Sequence, residues 1–182
     1  MRTLFVVAAL GVATASLTAA SLQTPKATLK FDAPATWVSK APSSSMRLAE
    51  FTLPKVDGDP EDATVTVFFF GATQGGNVQA NIDRWVSQMA QPDGKASKDV
   101  AKTMNPTSTS GLKLTAVDVS GTFVAEVAPG STEHFNKPGF RQLAVYVDTS
   151  GGPYFVKALG PAATITKWQP TFHAFLMSLK YE

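Results

Sequence analysis

One stretch narrows the folds open to this chain more than any other. Ala63 to Phe70 reads Ala-Thr-Val-Thr-Val-Phe-Phe-Phe, dense in the β-branched and aromatic side chains that suit a pleated surface. Extended, it sets Val65, Val67 and Phe69 on one face and Thr64, Thr66, Phe68 and Phe70 on the other. Both faces end apolar, which predicts a central strand covered on both sides.

The neighbouring segments supply partners and covers. Ala27 to Phe31 and Met46 to Leu53 read as strands, the second stopped by Pro54. After Gly71 to Gly76, Asn77 is placed to cap a helix, because Val78, Ile82, Trp85, Val86 and Met89 recur at helical spacing. Gln91 to Gly111 is a long polar connection. Leu112 to Val119 returns to strand, continuing to Val124 past a bend at Gly121. Phe140 to Val147 alternates, turns at Asp148 to Gly152, and pairs as a hairpin with Pro153 to Leu159. Ile165, Trp168, Phe172, Phe175, Leu176 and Leu179 then mark a last helix, with a kink or restart expected at Pro170. Strands and helices do not alternate throughout, so a doubly wound parallel sheet is disfavoured. The expectation is an α+β fold, a mainly antiparallel sheet packed by two helices.

Residues 1–20 stand apart. Met1-Arg2-Thr3 is a short positive start, Leu4 to Leu17 is apolar or small, and Thr18-Ala19-Ala20 offers small residues for cleavage. That layout predicts a secretory signal peptide at 1–20, followed by a single α+β domain over 21–182. The apolar run is too short for a span, so no membrane span is expected in the mature protein, which is placed in the periplasm or outside the cell. Sixteen Lys plus Arg face fourteen Asp plus Glu, and Arg2 leaves with the signal, so the net charge falls from +2 to +1. No basic stripe remains for nucleic acid. With no cysteine, disulfide scaffolds, cysteine-ligated zinc and a lipid-anchoring cysteine are all excluded.

Few residues point to chemistry. Asp57, Asp59, Glu61 and Asp62 crowd one turn and form a weak calcium candidate, although the spacing departs from an EF-hand and suits a solvated turn better. Gly71 to Asn77 lacks the Lys-Ser/Thr of a phosphate loop. On the first helix Asn77, Asn81, Arg84 and Gln88 form a polar stripe able to clasp a carboxylate or a partner's backbone. The connection Glu126 to Gly139 carries His134 and Phe135, and loops on a rigid sheet often carry recognition. Asn81, Arg84, Gln88, His134 and Phe135 are therefore the binding candidates. No metal site, catalytic residue or cofactor is expected beyond these. His173 lies beside the apolar stripe of the last helix, and Asp118 and Glu50 sit at polar strand positions.

Several segments also carry a resemblance: Trp37, Met46 to Phe51, Gly58 to Asp62, Phe70-Gly71, Gly75 to Asn77, Asn81 to Trp85, Val117 to Thr122, Gly152-Pro153 and Gly160-Pro161. Between about Trp37 and Leu179 the chain resembles exported bacterial proteins of unknown function. The element order is also similar to the PsbP-like fold, a layered sandwich of antiparallel sheet and helices. The resemblance implies export and a fold, and no activity. The function expected from all this is an exported, non-enzymatic domain that binds a protein partner or small ligand in the cell envelope. The alternative is an envelope hydrolase or acid–base enzyme in which Asp118, Glu50 and a histidine meet in a cleft.

Overall fold

A computed structural model describes residues 28–182, so the expected signal segment lies outside the described residues. In chain order the elements are β1 (Leu29–Lys30), β2 (Val38–Lys40), β3 (Arg47–Leu53), β4 (Ala63–Phe69), α1 (Val78–Ser87), β5 (Met89–Ala90) and α2 (Ser97–Val100). They continue with β6 (Lys102–Met104), β7 (Leu114–Phe123), β8 (Lys137–Val147), β9 (Tyr154–Pro161), α3 (Ala162–Met177) and β10 (Lys180–Tyr181). The main sheet runs β2-β3-β4-β9-β8-β7-β5, with β6 also on the β7 edge. Its pairings are antiparallel, and β1 pairs β10 separately. The fold is α+β with a mainly antiparallel sheet. The described residues form three helices where two are expected, because one turn, α2, forms inside the polar connection.

Side-chain alternation divides the core into layers. Val65 and Val67 of β4, Val145 of β8 and Val156 of β9 face α3, whose Ile165, Phe172, Phe175 and Leu176 cover them. The intervening Ala144 and Phe155 face the other way and meet Ile82, Trp85 and Val86 of α1, with Phe68 and Phe70 alongside. A third cluster, Met89, Val119, Phe123 and Phe140, extends the α1 face toward the β7 edge. The strand apolar on both faces thus lies inside the sheet between β3 and β9, as its pattern requires.

Local chemistry explains most boundaries. The Asn77 side chain accepts from Ala80 N at 2.9 Å and starts α1. Gly121 marks the β7 irregularity: a Cβ there would meet Ala90 O at 2.5 Å, so only glycine lets β5 pass this close. The helix α3 runs unbroken through Pro170, against the expected kink or restart. Pro170 is exposed, so the carbonyl it leaves unbonded faces solvent and water can serve it. The cap of α3 comes from far away. Pro161 cannot cap with a side chain, and Asp59 accepts from both Thr164 N (2.9 Å) and Thr164 Oγ1 (2.5 Å).

Candidate functional site

That cap settles the place of the acidic turn. Asp59 serves α3, Asp62 accepts from Lys55 N at 2.9 Å, and Glu61 pairs with Lys137 at 2.6 Å. Asp57 is exposed. Three of the four calcium candidates therefore serve separate partners, and no group of metal-ligating side chains gathers among the described residues.

The carboxylates of the enzyme alternative are kept apart by the pleat. Asp118 follows Ala116 onto the α3 face, where Arg141 grips it through two bonds (2.9 and 2.7 Å) and reaches Thr166 of α3 at 3.0 Å. The Asp118 hydrogen bond pushes the Arg141 guanidinium above its ordinary value and keeps it charged. Glu50, between Ala49 and Phe51 of the α3 face, takes the opposite face. Burial raises its carboxyl, but hydrogen bonds from Arg47 and Ser43 outweigh that and hold it below the ordinary range. Strands β4, β9 and β8 also intervene. His173 is exposed on α3. These groups do not share a cleft.

Three of the five binding candidates do converge. Arg84 and Gln88 of α1 and His134 of the β7–β8 connection border one cavity of about 430 Å³, with Val124, Glu126 and Pro129. The backbone joins the two sides: Val124 N donates to Gln88 O at 2.8 Å, and His134 Nδ1 donates to Val124 O at 2.9 Å. Asn81 is not on the surface, as the polar stripe suggests, but only 2% exposed. Its amide donates to Gly75 O (2.6 Å) and Asn77 O (2.8 Å), while its Oδ1 accepts from Arg84 Nη2 at 2.6 Å. Asn81 thereby orients Arg84 from below. Phe135 is not among the cavity's lining residues; it stacks on Phe123 at 5.4 Å and closes the third core cluster.

Behind Arg84 and Gln88 lies a residue the sequence pattern passes over. Lys157 shares the α1 face of β9 with Phe155 and lies in register between Thr66 of β4 and Ala144 of β8. Beside it opens a second hollow, about 160 Å³, bordered by Arg84, Gln88 and Lys157 over Phe68, Phe70 and Phe155. The Lys157 ammonium donates to Gln88 Oε1 at 2.8 Å and lies 5.2 Å from the Phe123 ring centroid. Although part of its surface stays accessible, its packed surroundings disfavour the charge. Desolvation first, then the neighbouring Arg84, lower its pKa to about 7. The available signal was a lone Lys inside Tyr-Phe-Val-Lys-Ala-Leu, at a position where both flanking residues on its face, Phe155 and Leu159, are apolar.

No family model matches the chain, and no curated protein does either. Among solved structures it is similar to PA94 of Pseudomonas aeruginosa, a protein of unknown function described as a candidate regulator. That likeness has 12% identity and a TM-score of 0.44, over 72% of this chain and 80% of the other. It is also similar to LpqN of Mycobacterium tuberculosis, involved in cell envelope biogenesis, at 11% identity and a TM-score of 0.47, over 88% of this chain and 87% of the other. Among the described residues no helix is long and apolar enough to cross a membrane.

Proposed function

We propose that the chain is an exported, non-enzymatic binding domain whose recognition surface is the C-terminal end of α1 together with the β7–β8 connection. In this reading residues 1–20 are a removable signal, the domain occupies 21–182, and the finer architecture is a PsbP-like layered sandwich. One observation carries it: Arg84, Gln88 and His134, separated by up to fifty positions, border the same cavity. Rigid support favours recognition there. Asn81 orients Arg84, and the Val124 bond ties the loop to the helix. The acid–base alternative has no comparable support, since Asp118 and Glu50 lie on opposite faces. The test is native mass spectrometry of the mature protein taken up from an envelope extract, beside Arg84→Ala. A bound component held by the wild type and lost from the variant supports the reading. Equal retention by the variant, or no bound component on the wild type, overturns it.

A further inference from the structure

The inner hollow is apolar on its floor and cationic on its rim, and its charges are unbalanced. Among the described residues neither Arg84 nor Lys157 makes a salt bridge. Their polar contacts are to neutral amides, Arg84 to Asn81 and Lys157 to Gln88. The carboxylate nearest in register on this face, Glu50, lies two strands away beyond Thr66, roughly 10 Å by strand spacing, and is held by Arg47 and Ser43. Glu126 and His134 face only the outer cavity, where Glu126 accepts from Gly130 N at 2.7 Å. Tyr146 of β8 packs edge-on to Phe155. A third cation, Arg47, lies 5.5 Å from the Phe68 ring centroid but is paired with Glu50, and neither borders the hollow. Arg84 and Lys157 therefore meet at the rim over three phenylalanines, with no carboxylate among the lining residues.

Resting on the reading of α1's C-terminal end as the recognition surface, we propose that this hollow binds a small molecule with a flat apolar body and a carboxylate head. The body lies against Phe68, Phe70 and Phe155, and the head sits between Arg84 and Lys157. Guanidinium and ammonium donors give charge-assisted bonds to such a head, and Glu126 disfavours the same anion in the outer cavity. The unpaired Lys157 is poorly solvated without a ligand, so an arriving anion restores its charged form.

Calorimetry with naphthoate and its neutral analogue naphthamide tests this on the mature protein. The wild type is expected to bind naphthoate about tenfold or more tightly than naphthamide, taking up close to one proton at about pH 8 as Lys157 recharges. Lys157→Met, which removes a lone charge and fills its place, is expected to keep naphthamide binding while losing the preference and the proton uptake. Lys157→Arg is expected to keep the preference, and amide shifts are expected at Arg84 to Gln88 and Phe155 to Lys157. Equal binding of the two compounds, no naphthoate binding at millimolar concentration, or a preference that survives Lys157→Met each overturns the proposal. If the charge preference fails while Arg84→Ala still releases the envelope component, the surface stands and the ligand chemistry falls. Selectivity through Lys157 with no effect of Arg84→Ala on that component gives the reverse.

Discussion

The two faces of the sheet are built to different standards. On the α3 face an aromatic nest closes tightly, with Phe175 packed by Phe31, Trp37 and Phe51 at centroid distances of 5.0 to 6.3 Å. Polar groups at that layer are satisfied: Thr164 by Asp59, Asp118 by Arg141. The α1 face buries Asn81, Thr66 and Gln142 among its apolar residues and leaves Lys157 without a counter-ion. Both buried side-chain atoms without a partner among the described residues, Thr52 Oγ1 and Gln142 Oε1, belong to it by alternation. The difference is one of charge and hydrogen bonding more than of tightness, since cavities of about 410 and 370 Å³ also open on the α3 face, beside Tyr154 and beside Arg141. The α1 face keeps polar atoms without partners and a cation without a counter-ion, the pattern expected where a binding site competes with stability.

Perturbing each face should expose that difference. The largest effect belongs to Phe175→Ala, which empties the centre of the nest at a position 1% exposed; a loss of about 3–5 kcal/mol in urea unfolding is expected. On the other face Lys157→Met should act in the opposite direction, adding about 1–3 kcal/mol near neutral pH by removing an unpaired, poorly solvated charge. Its pH dependence has a defined sign. The unfolded chain keeps the Lys157 proton up to its ordinary value of 10.5, whereas the folded chain releases it at about 7. Between those values the unfolded state binds more protons, so this residue's contribution makes the wild type gain stability as pH rises, by up to about 1.4 kcal/mol per pH unit. The advantage of Lys157→Met should therefore shrink over the same window, read from paired unfolding curves. A variant less stable than wild type throughout would break the contrast.

Smaller changes sharpen it. Asp59→Ala removes the borrowed cap of α3 and is expected to lower stability by about 1 kcal/mol in thermal unfolding. Its effect should be indifferent to added calcium, because the carboxylate serves the helix. Arg84→Gln takes the donor from the buried Asn81 Oδ1 and is expected to lower stability by about 1 kcal/mol or less, while raising the Lys157 titration midpoint, since one of the two causes of its depression is gone.

How much of this was legible depended on how far apart the cooperating residues lie. The β4 pattern, the Asn77 cap, the Gly121 irregularity and the stripe on α3 are local, and each appears where its spacing demands. The short edge strand β2 is wholly exposed, so burial imposes no alternation on Val-Ser-Lys and nothing marks it as strand. The roles of the acidic turn needed Thr164, 105 positions from Asp59, which no periodicity reveals. Of the cavity lining proposed as the site, the sequence pattern named Arg84, Gln88 and His134 by residue type. It misplaced Asn81 and Phe135, because whether a polar or aromatic side chain turns inward is decided by packing partners. Lys157 was hidden by its ordinary strand surroundings, and its isolation follows only from the register that flanks it with Thr66 and Ala144.

Central to the proposal is Lys157, a partly accessible, poorly solvated cation left without a counter-ion for a ligand to supply. Direct titration of its side-chain carbon signals by NMR, with and without naphthoate, tests it most closely. A midpoint at about 7 that moves upward when naphthoate binds is expected. A midpoint at the ordinary 10.5, unchanged by naphthoate, would contradict it.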